Sequence, residues 1–305
     1  MLNSKFKTQI EFLLRFVALC LMLFVLGCQS SETDKASFAG KDLTEQLAAG
    51  ENIETIAEHL IQVRKAVGVT RALVIHYPNL DREKAFQIQM TMLAKLEQQG
   101  GKLAGWKMGG SRVADFNPAF GFMLASDEFQ SGSIVSSTKF VEGSPLLEAE
   151  IGFLMNKDLP GPEVTRDELI DAIEDMGGFS ELISIRTRDA EGGIKVASSH
   201  FIADGLSHGG FIQPARKFSL DEIDLKTIKA NVKINDEVKA EGDSKQFALL
   251  DAVLFLANTL PKYERHLRAG DIVITGSILK APPAKAGDKV EIIFSSFNSL
   301  DIKFK

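Results

Sequence analysis

Residues 146–155 read LLEAEIGFLM, an apolar run interrupted by Glu148 and Glu150. Its length and its Leu, Ile and Phe content predict a buried strand. Side chains two apart on a strand point to one face, so the two carboxylates project together. Leu147, Ala149, Ile151 and Phe153 then fill the opposite face. Two like charges this close repel. Burying them costs several kcal/mol unless a cation or a proton compensates. A divalent cation meets that need, and hard oxygen ligands select Mg²⁺ or Mn²⁺, with Ca²⁺ as a further candidate. The competing reading is an edge strand with both glutamates in water.

Glu181 adds a third acid at the start of an expected strand over residues 180–186, again in apolar company. Three carboxylates make a metal site with open positions for water and substrate. Taken alone, Glu181 reads equally well as a surface charge at a strand end. Arg186 lies an odd number of positions away, so a regular strand points it to the other face, where a structural ion pair is its favoured role.

Outward from this stretch, helical spacing covers residues 52–66 (Ile53, Ile56, Ala57, Leu60, Val63) and 81–99 (Ala85, Ile88, Met92, Leu96). Asp81 is placed to cap the second helix, and Gly100 and Gly101 to end it. Residues 165–176 read as a helix opened by the capping box Thr165-x-x-Glu168. Residues 247–260 form an apolar helix. Strands are expected at 225–234, leading into a turn at Asn235 and Asp236, and at 271–275 and 289–294. Few regular βα units appear, which argues for an α+β body rather than a doubly wound sheet.

At these residues the sequence resembles the 2-keto-4-pentenoate hydratase group of the fumarylacetoacetate hydrolase family. The likeness runs from about Ala85, in a helical stretch carrying Gln89, to the C-terminus. It includes Gly105-Trp106-Lys107-Met108-Gly109 (similar to G-x-K-x-G), Glu148-Ala149-Glu150 (E-x-E) and the spacing of Glu181 to Arg186. It continues with Ile202-Ala203-Asp204, Phe255-Leu256-Ala257-Asn258, residues 267–277 and residues 286–290. No single piece is specific; their order and spacing are. The resemblance implies an α+β fold with a mixed β-roll core of the family's C-terminal type, preceded by a helical segment. It implies Glu148, Glu150 and Glu181 as ligands to Mg²⁺ or Mn²⁺. It further implies a 2-oxo acid that chelates the metal, which stabilises an enolate as a Lewis acid. Symmetric homo-oligomers are common in the family.

Within that chemistry Lys107 would hold negative charge or relay a proton, with its pKa lowered by burial and the nearby cation. Without the family match it reads as a surface lysine beside a glycine-rich turn. Asp204 either orients water or a ligand, or caps its local turn. His200 reads as a hydrogen-bonded packing residue outside the site. The expected activity is a lyase that hydrates an unsaturated 2-oxo or 2-hydroxy acid such as 2-hydroxypenta-2,4-dienoate. Decarboxylation, acylpyruvate-type C–C hydrolysis, and a non-catalytic envelope protein keeping the fold are the alternatives. Three departures bear on this choice. Ala119 stands where the family carries an acid, Gly205 where it carries an amide, and a G-H-P segment is absent from residues 242–247.

The first 27 residues are a separate object. Lys5, Lys7 and Arg15 precede residues 16–27, FVALCLMLFVLG, a run too short for a bilayer span and suited to a secretory signal. It ends in Val25-Leu26-Gly27-Cys28, which resembles a bacterial lipobox with Cys28 as the lipidated residue. An uncleaved single-pass anchor is the other reading. Residues 28–40 are polar and small, a tether. The expected organisation is therefore signal 1–27, tether 28–40 and catalytic domain 41–305, helical over 41–104 and β-rich over 105–305. With Gln29 after the cysteine, the expected location is the periplasmic side of the outer membrane, anchored through Cys28.

Cys20 and Cys28 are the only cysteines, so a mature chain would hold no free thiol, which excludes cysteine catalysis and thiolate-bound zinc. The net charge is -6. Removing residues 1–27, with three Lys/Arg and one Asp/Glu, leaves 32 basic and 40 acidic residues, or -8. Nothing in that balance favours nucleic acid. Phe is abundant (21) and Trp (1) and Tyr (2) scarce, which favours buried rings over an aromatic binding surface.

Overall fold

The computed structural model describes residues 41–305. The expected signal and tether, and with them Cys28, lie outside the described residues.

Local signals account for most helices. α1 (Ile53–Lys65) starts where the Asn52 side chain accepts the Thr55 N–H at 2.9 Å. After α2 (Ala72–His76), α3 (Arg82–Gln98) starts where Asp81 accepts the Lys84 N–H at 2.8 Å. Each cap satisfies a donor that a first helical turn leaves open. α3 stops at Gly100, whose φ is +91°, with the Gly101 N–H donating back to the Leu96 carbonyl at 2.9 Å. α1 and α3 pack together and bury Ile56, Leu60 and Val63 on one, Ile88, Met92 and Leu93 on the other. α4 (Arg166–Asp171), α5 (Ser198–Ala203) and α6 (Leu249–Thr259) follow. Among the described residues no helix is long and apolar enough to cross a membrane.

In chain order the strands are β1 (Leu103–Gly109), β2 (Ala119–Leu124), β3 (Glu128–Gln130), β4 (Ser133–Val135), β5 (Leu146–Met155) and β6 (Ile173–Ile183). They continue with β7 (His208–Gln213), β8 (Lys229–Ile234), β9 (Glu237–Asp243), β10 (Ile272–Ile274), β11 (Lys289–Phe294) and β12 (Leu300–Phe304). They form two mixed sheets, ordered β2-β1-β10-β5-β6-β7-β3 and β4-β12-β11-β8-β9. This is the expected α+β class. Asn235 and Asp236, at φ +52° and +68°, make the tight turn between β8 and β9.

β5 has the bounds its sequence predicts, and it is an interior strand. β6 pairs with it antiparallel along one side. On the other side β10 pairs with Gly152 to Leu154, and the N–H groups of Thr275 and Ile278 donate to the Ile151 and Ala149 carbonyls. That excludes the solvated edge-strand reading of Glu148 and Glu150.

Two expectations are corrected. The capping box at Thr165 and Glu168 forms, but its helix ends at Asp171, and the chain enters β6 at Ile173 instead of continuing to 176. Ladder pairing of Ile173 and Met176 with Met155 and Phe153 outweighs the local helical signal there. β6 also ends at Ile183, so Arg186 is not on a strand and the alternation argument does not place it.

The main core takes one face of β5, with Leu147, Ala149, Ile151 and Phe153 fully buried alongside Trp106, Phe120 and Phe122. The carboxylate face continues into a smaller apolar cluster of Met123, Phe179, Phe211, Ile272 and Ile274. The acids therefore sit at the border of a dry patch rather than on an open surface.

Candidate active site

Three strands bring the chemistry together. β5 supplies Glu148 and Glu150, and β6 supplies Glu181, the direct cross-strand partner of Glu148. β1 runs parallel to β10, with Lys107 opposite Ile274, and pairs antiparallel with β2, with Lys107 opposite Gly121. A Cβ on Gly121 would lie 2.4 Å from the Gly205 carbonyl oxygen and 3.2 Å from Lys107 Cδ. Glycine at 121 thus lets the 205 backbone approach and leaves the lysine its channel.

The carboxylates of Glu148, Glu150 and Glu181 each offer an oxygen, and those oxygens lie within 4.8 Å of one another. Glu150 and Glu181 are fully buried and Glu148 half-buried. The Gly276 N–H donates to Glu150 Oε2 at 2.6 Å. Lys107 Nζ stands 2.8 Å from Glu181 Oε2, and it donates to the Leu206 carbonyl at 3.4 Å. This buried ion pair compensates Glu181 Oε2. Glu150 Oε1 has no hydrogen-bond partner among the described residues. A buried carboxylate oxygen without a partner is costly unless a proton or a cation meets it.

The electrostatics carry the same imprint. Burial, only partly offset by Lys107 and aggravated by Glu181, pushes the Glu148 carboxyl up to about 7. Burial and the charges of Glu181 and Glu148 hold Glu150 well above the ordinary carboxylate range. Burial works against the Lys107 ammonium, but Glu181, Glu148 and Glu150 outweigh it and raise Lys107 above an ordinary lysine. This reverses the expected lowering of Lys107. In the protein alone the acids dominate its surroundings, whereas the expectation assumed a cation beside it. Three carboxylates share one ammonium, so the donor set fits a hard divalent cation.

A cavity of about 620 Å³ opens onto the site, with Lys107, Glu148, Ser111, Arg112, Gly276 and Ser277 in its wall. Arg112 is held at the rim by Gln246 at 2.8 Å.

Asp204 is placed differently from expectation. It does not line this cavity. Its Oδ1 accepts from Arg186 Nε at 3.0 Å and its carbonyl accepts from Arg186 Nη2 at 3.2 Å, both groups buried. The pair is the structural ion pair favoured for Arg186, and Asp204 neither faces the cavity nor caps its turn. Gly205, next in the chain, has φ +65°, a left-handed conformation that glycine adopts freely. His200 is buried with Nε2 3.0 Å from the Tyr77 carbonyl, a packing role outside the site.

Sequence reasoning missed His208. It opens β7 beside β6, fully buried, with Nδ1 2.7 Å from Glu181 Oε1. A lone histidine between Ser207 and Gly209 carries no signal by itself; only the β6–β7 pairing brings it to the site. Gln89 is a structural brace. Its Nε2 donates to the carbonyls of Phe120 and Ile202, bracing α3 against β2 and α5.

Residues 102–304 match the family described as Fumarylacetoacetate (FAA) hydrolase C-terminal. A 2-hydroxyhexa-2,4-dienoate hydratase of Comamonas testosteroni is 29% identical over 260 residues, 83% of this chain and 97% of that protein. A 2-oxo-hept-4-ene-1,7-dioate hydratase of Escherichia coli is 28% identical, over 82% of this chain and 96% of its own length. The solved structure of 4-oxalocrotonate decarboxylase from Pseudomonas putida G7, complexed with magnesium and adipate, superposes with a TM-score of 0.76. It is 26% identical, over 85% of this chain and 99% of that one. With its fold, its strand-borne acids and these matches in agreement, the chain belongs to the fumarylacetoacetate hydrolase family, in the branch of the 2-keto-4-pentenoate hydratases and related decarboxylases.

Proposed function

We propose that this lyase-type enzyme is a metal-dependent hydratase acting on an unsaturated 2-oxo or 2-hydroxy acid such as 2-hydroxypenta-2,4-dienoate. The observation that carries the reading is the convergence of three largely buried carboxylates, within 4.8 Å, beside Lys107 at a cavity. The hydratase names of the two relatives and the magnesium in the decarboxylase structure support it. Glu148, Glu150 and Glu181 would hold Mg²⁺ or Mn²⁺, which would supply Lewis-acid polarisation of the 2-oxo acid head.

The chain's own groups do the rest. The Gly276 N–H fixes Glu150. Lys107 Nζ presents positive charge and a proton at the cavity wall, where a substrate oxygen becomes negative. The neighbouring apolar cluster keeps the far side of the acids dry, which strengthens each of these interactions. Decarboxylation of a 2-oxo dioate is the second reading, favoured by the 4-oxalocrotonate decarboxylase likeness. Residues 25–28 further support an envelope location, with the enzyme lipid-anchored through Cys28 on the periplasmic side of the outer membrane.

The test is product analysis by proton NMR with Mg²⁺. Purified protein given 2-hydroxypenta-2,4-dienoate should yield 4-hydroxy-2-oxopentanoate, and Glu148→Gln should abolish the conversion. CO₂ release from 4-oxalocrotonate without a hydrated product would select the second reading. Turnover of neither substrate would count against both readings.

A further inference from the structure

We propose that His208 is a positioning residue: it fixes the Glu181 carboxylate for cation binding and is itself clamped to the N-terminal helical segment. This rests on the reading of Glu148, Glu150 and Glu181 as metal ligands.

Glu181 divides its two oxygens. Oε1 meets His208 Nδ1 at 2.7 Å, while Oε2 turns toward Lys107. A carboxylate oxygen only accepts, so the hydrogen of this bond sits on Nδ1. With Oε1 held, the carboxylate cannot spin, and Oε2 stays turned toward Lys107, within the cluster that Glu181 forms with Glu148 and Glu150. Without the bond, a fully buried imidazole and a fully buried carboxylate would each lose a partner at once.

The histidine is anchored in turn. Its carbonyl accepts from Arg186 Nη1 at 3.0 Å and from Arg64 Nη1 at 3.2 Å. Arg64 belongs to α1, and its Nη2 pairs with Asp127 Oδ2 at 2.6 Å. Asp127 Oδ2 also lies 3.8 Å from His208 Nε2, and the Phe211 ring flanks the imidazole with centroids 6.1 Å apart. The Arg186–Asp204 pair thereby gains a purpose: it holds the backbone that holds the ligand's partner. Groups bonded to metal ligands in this way orient them, and losing one costs about 10–100-fold in metal affinity.

The experiment compares two amides at one position, read by Mn²⁺ binding to the full chain in calorimetry. Asn carries its N–H where Nδ1 stands, whereas Gln carries it further out. His208→Gln should bind Mn²⁺ about 10–100-fold more weakly, and His208→Asn should stay close to the wild type. Equal affinity in both variants overturns the positioning role, and so does an equal loss in both. Wild-type protein that binds no Mn²⁺ overturns the metal reading and this proposal with it, which separates the two failures. If the variants do not fold, ¹⁵N-histidine spectra of the wild type decide. A protonated Nδ1 on His208 is expected, and a proton on Nε2 alone overturns the proposal.

Discussion

Glu148 on β5 is the direct cross-strand partner of Glu181 on β6, two acids in a position where opposite charges or apolar pairs stabilise a sheet. The ladder tolerates this because Lys107 reaches Glu181 from β1 and because Glu148 and Glu150 are pushed toward their protonated forms. The sheet stores an unfavourable charge arrangement at one place, and a divalent cation would relieve it.

Stability should respond to metal in a pH-dependent way. The folded Glu148 carboxyl titrates at about 7 in the protein alone, because burial outweighs Lys107, while an unfolded glutamate titrates near 4.5. Between those values the folded state binds the extra proton, so metal-free stability falls as pH rises through that window. Metal binding needs the deprotonated form and strengthens over the same range. The rise in Tm on adding Mg²⁺ should therefore be larger at pH 8 than at pH 5.5. At about 100 times Kd the gain is about 2.7 kcal/mol. Scanning calorimetry with EDTA and with Mg²⁺ measures it, and a pH-independent shift would contradict the charge assignment.

Lys107→Met should lower kcat by about 10²–10⁴-fold, the range for loss of a positioned proton-transfer group. It should also destabilise the EDTA-treated protein more than the Mg²⁺-loaded one, since the buried acids lose their ammonium only where no cation replaces it. Steady-state kinetics paired with melting curves in the two buffers test both halves. Unchanged kcat would remove Lys107 from the chemistry.

Asp204→Ala should act on stability first. It leaves the Arg186 guanidinium buried and uncompensated, at a cost of about 3–5 kcal/mol. Urea unfolding reads that loss. Because Asp204 does not line the cavity, the folded fraction should keep a near-normal KM at saturating Mg²⁺. A large KM increase with unchanged stability would show instead that Asp204 meets the substrate.

Cys28→Ser should move the protein from the membrane pellet to the soluble fraction of an expressing bacterium, since several acyl chains make a stable anchor and their loss leaves none. Mass spectrometry of the N-terminal peptide should find a diacylglyceryl group on Cys28 of the wild type. An unmodified cysteine in a membrane-bound protein would favour the uncleaved anchor.

Short-range rules were sufficient for β5, for the ends of α1 and α3, and for the identity of the three acids. Strand alternation places Glu148 and Glu150 on one face whatever else the chain does. A cap such as Asp81 with Lys84 closes within four residues. Those signals fit inside a few positions, so they survive without knowledge of the rest. Residues 172–176 show where such rules fail. Their helical pattern is real, but β5 offers a complete ladder, and pairing outweighs a propensity worth tenths of a kcal/mol per residue.

Long-range contacts decided what gathers three acidic residues into one buried cluster. Whether β5 was an edge or an interior strand depended on β10, more than a hundred residues downstream. His208 reaches Glu181 across 27 positions, and Arg64 reaches His208 across 144. Burial, which turns paired glutamates from solvated charges into carboxyls raised in pKa, belongs to the assembled sheets. No window of neighbouring residues contains it, because desolvation is set by which distant segments exclude the water.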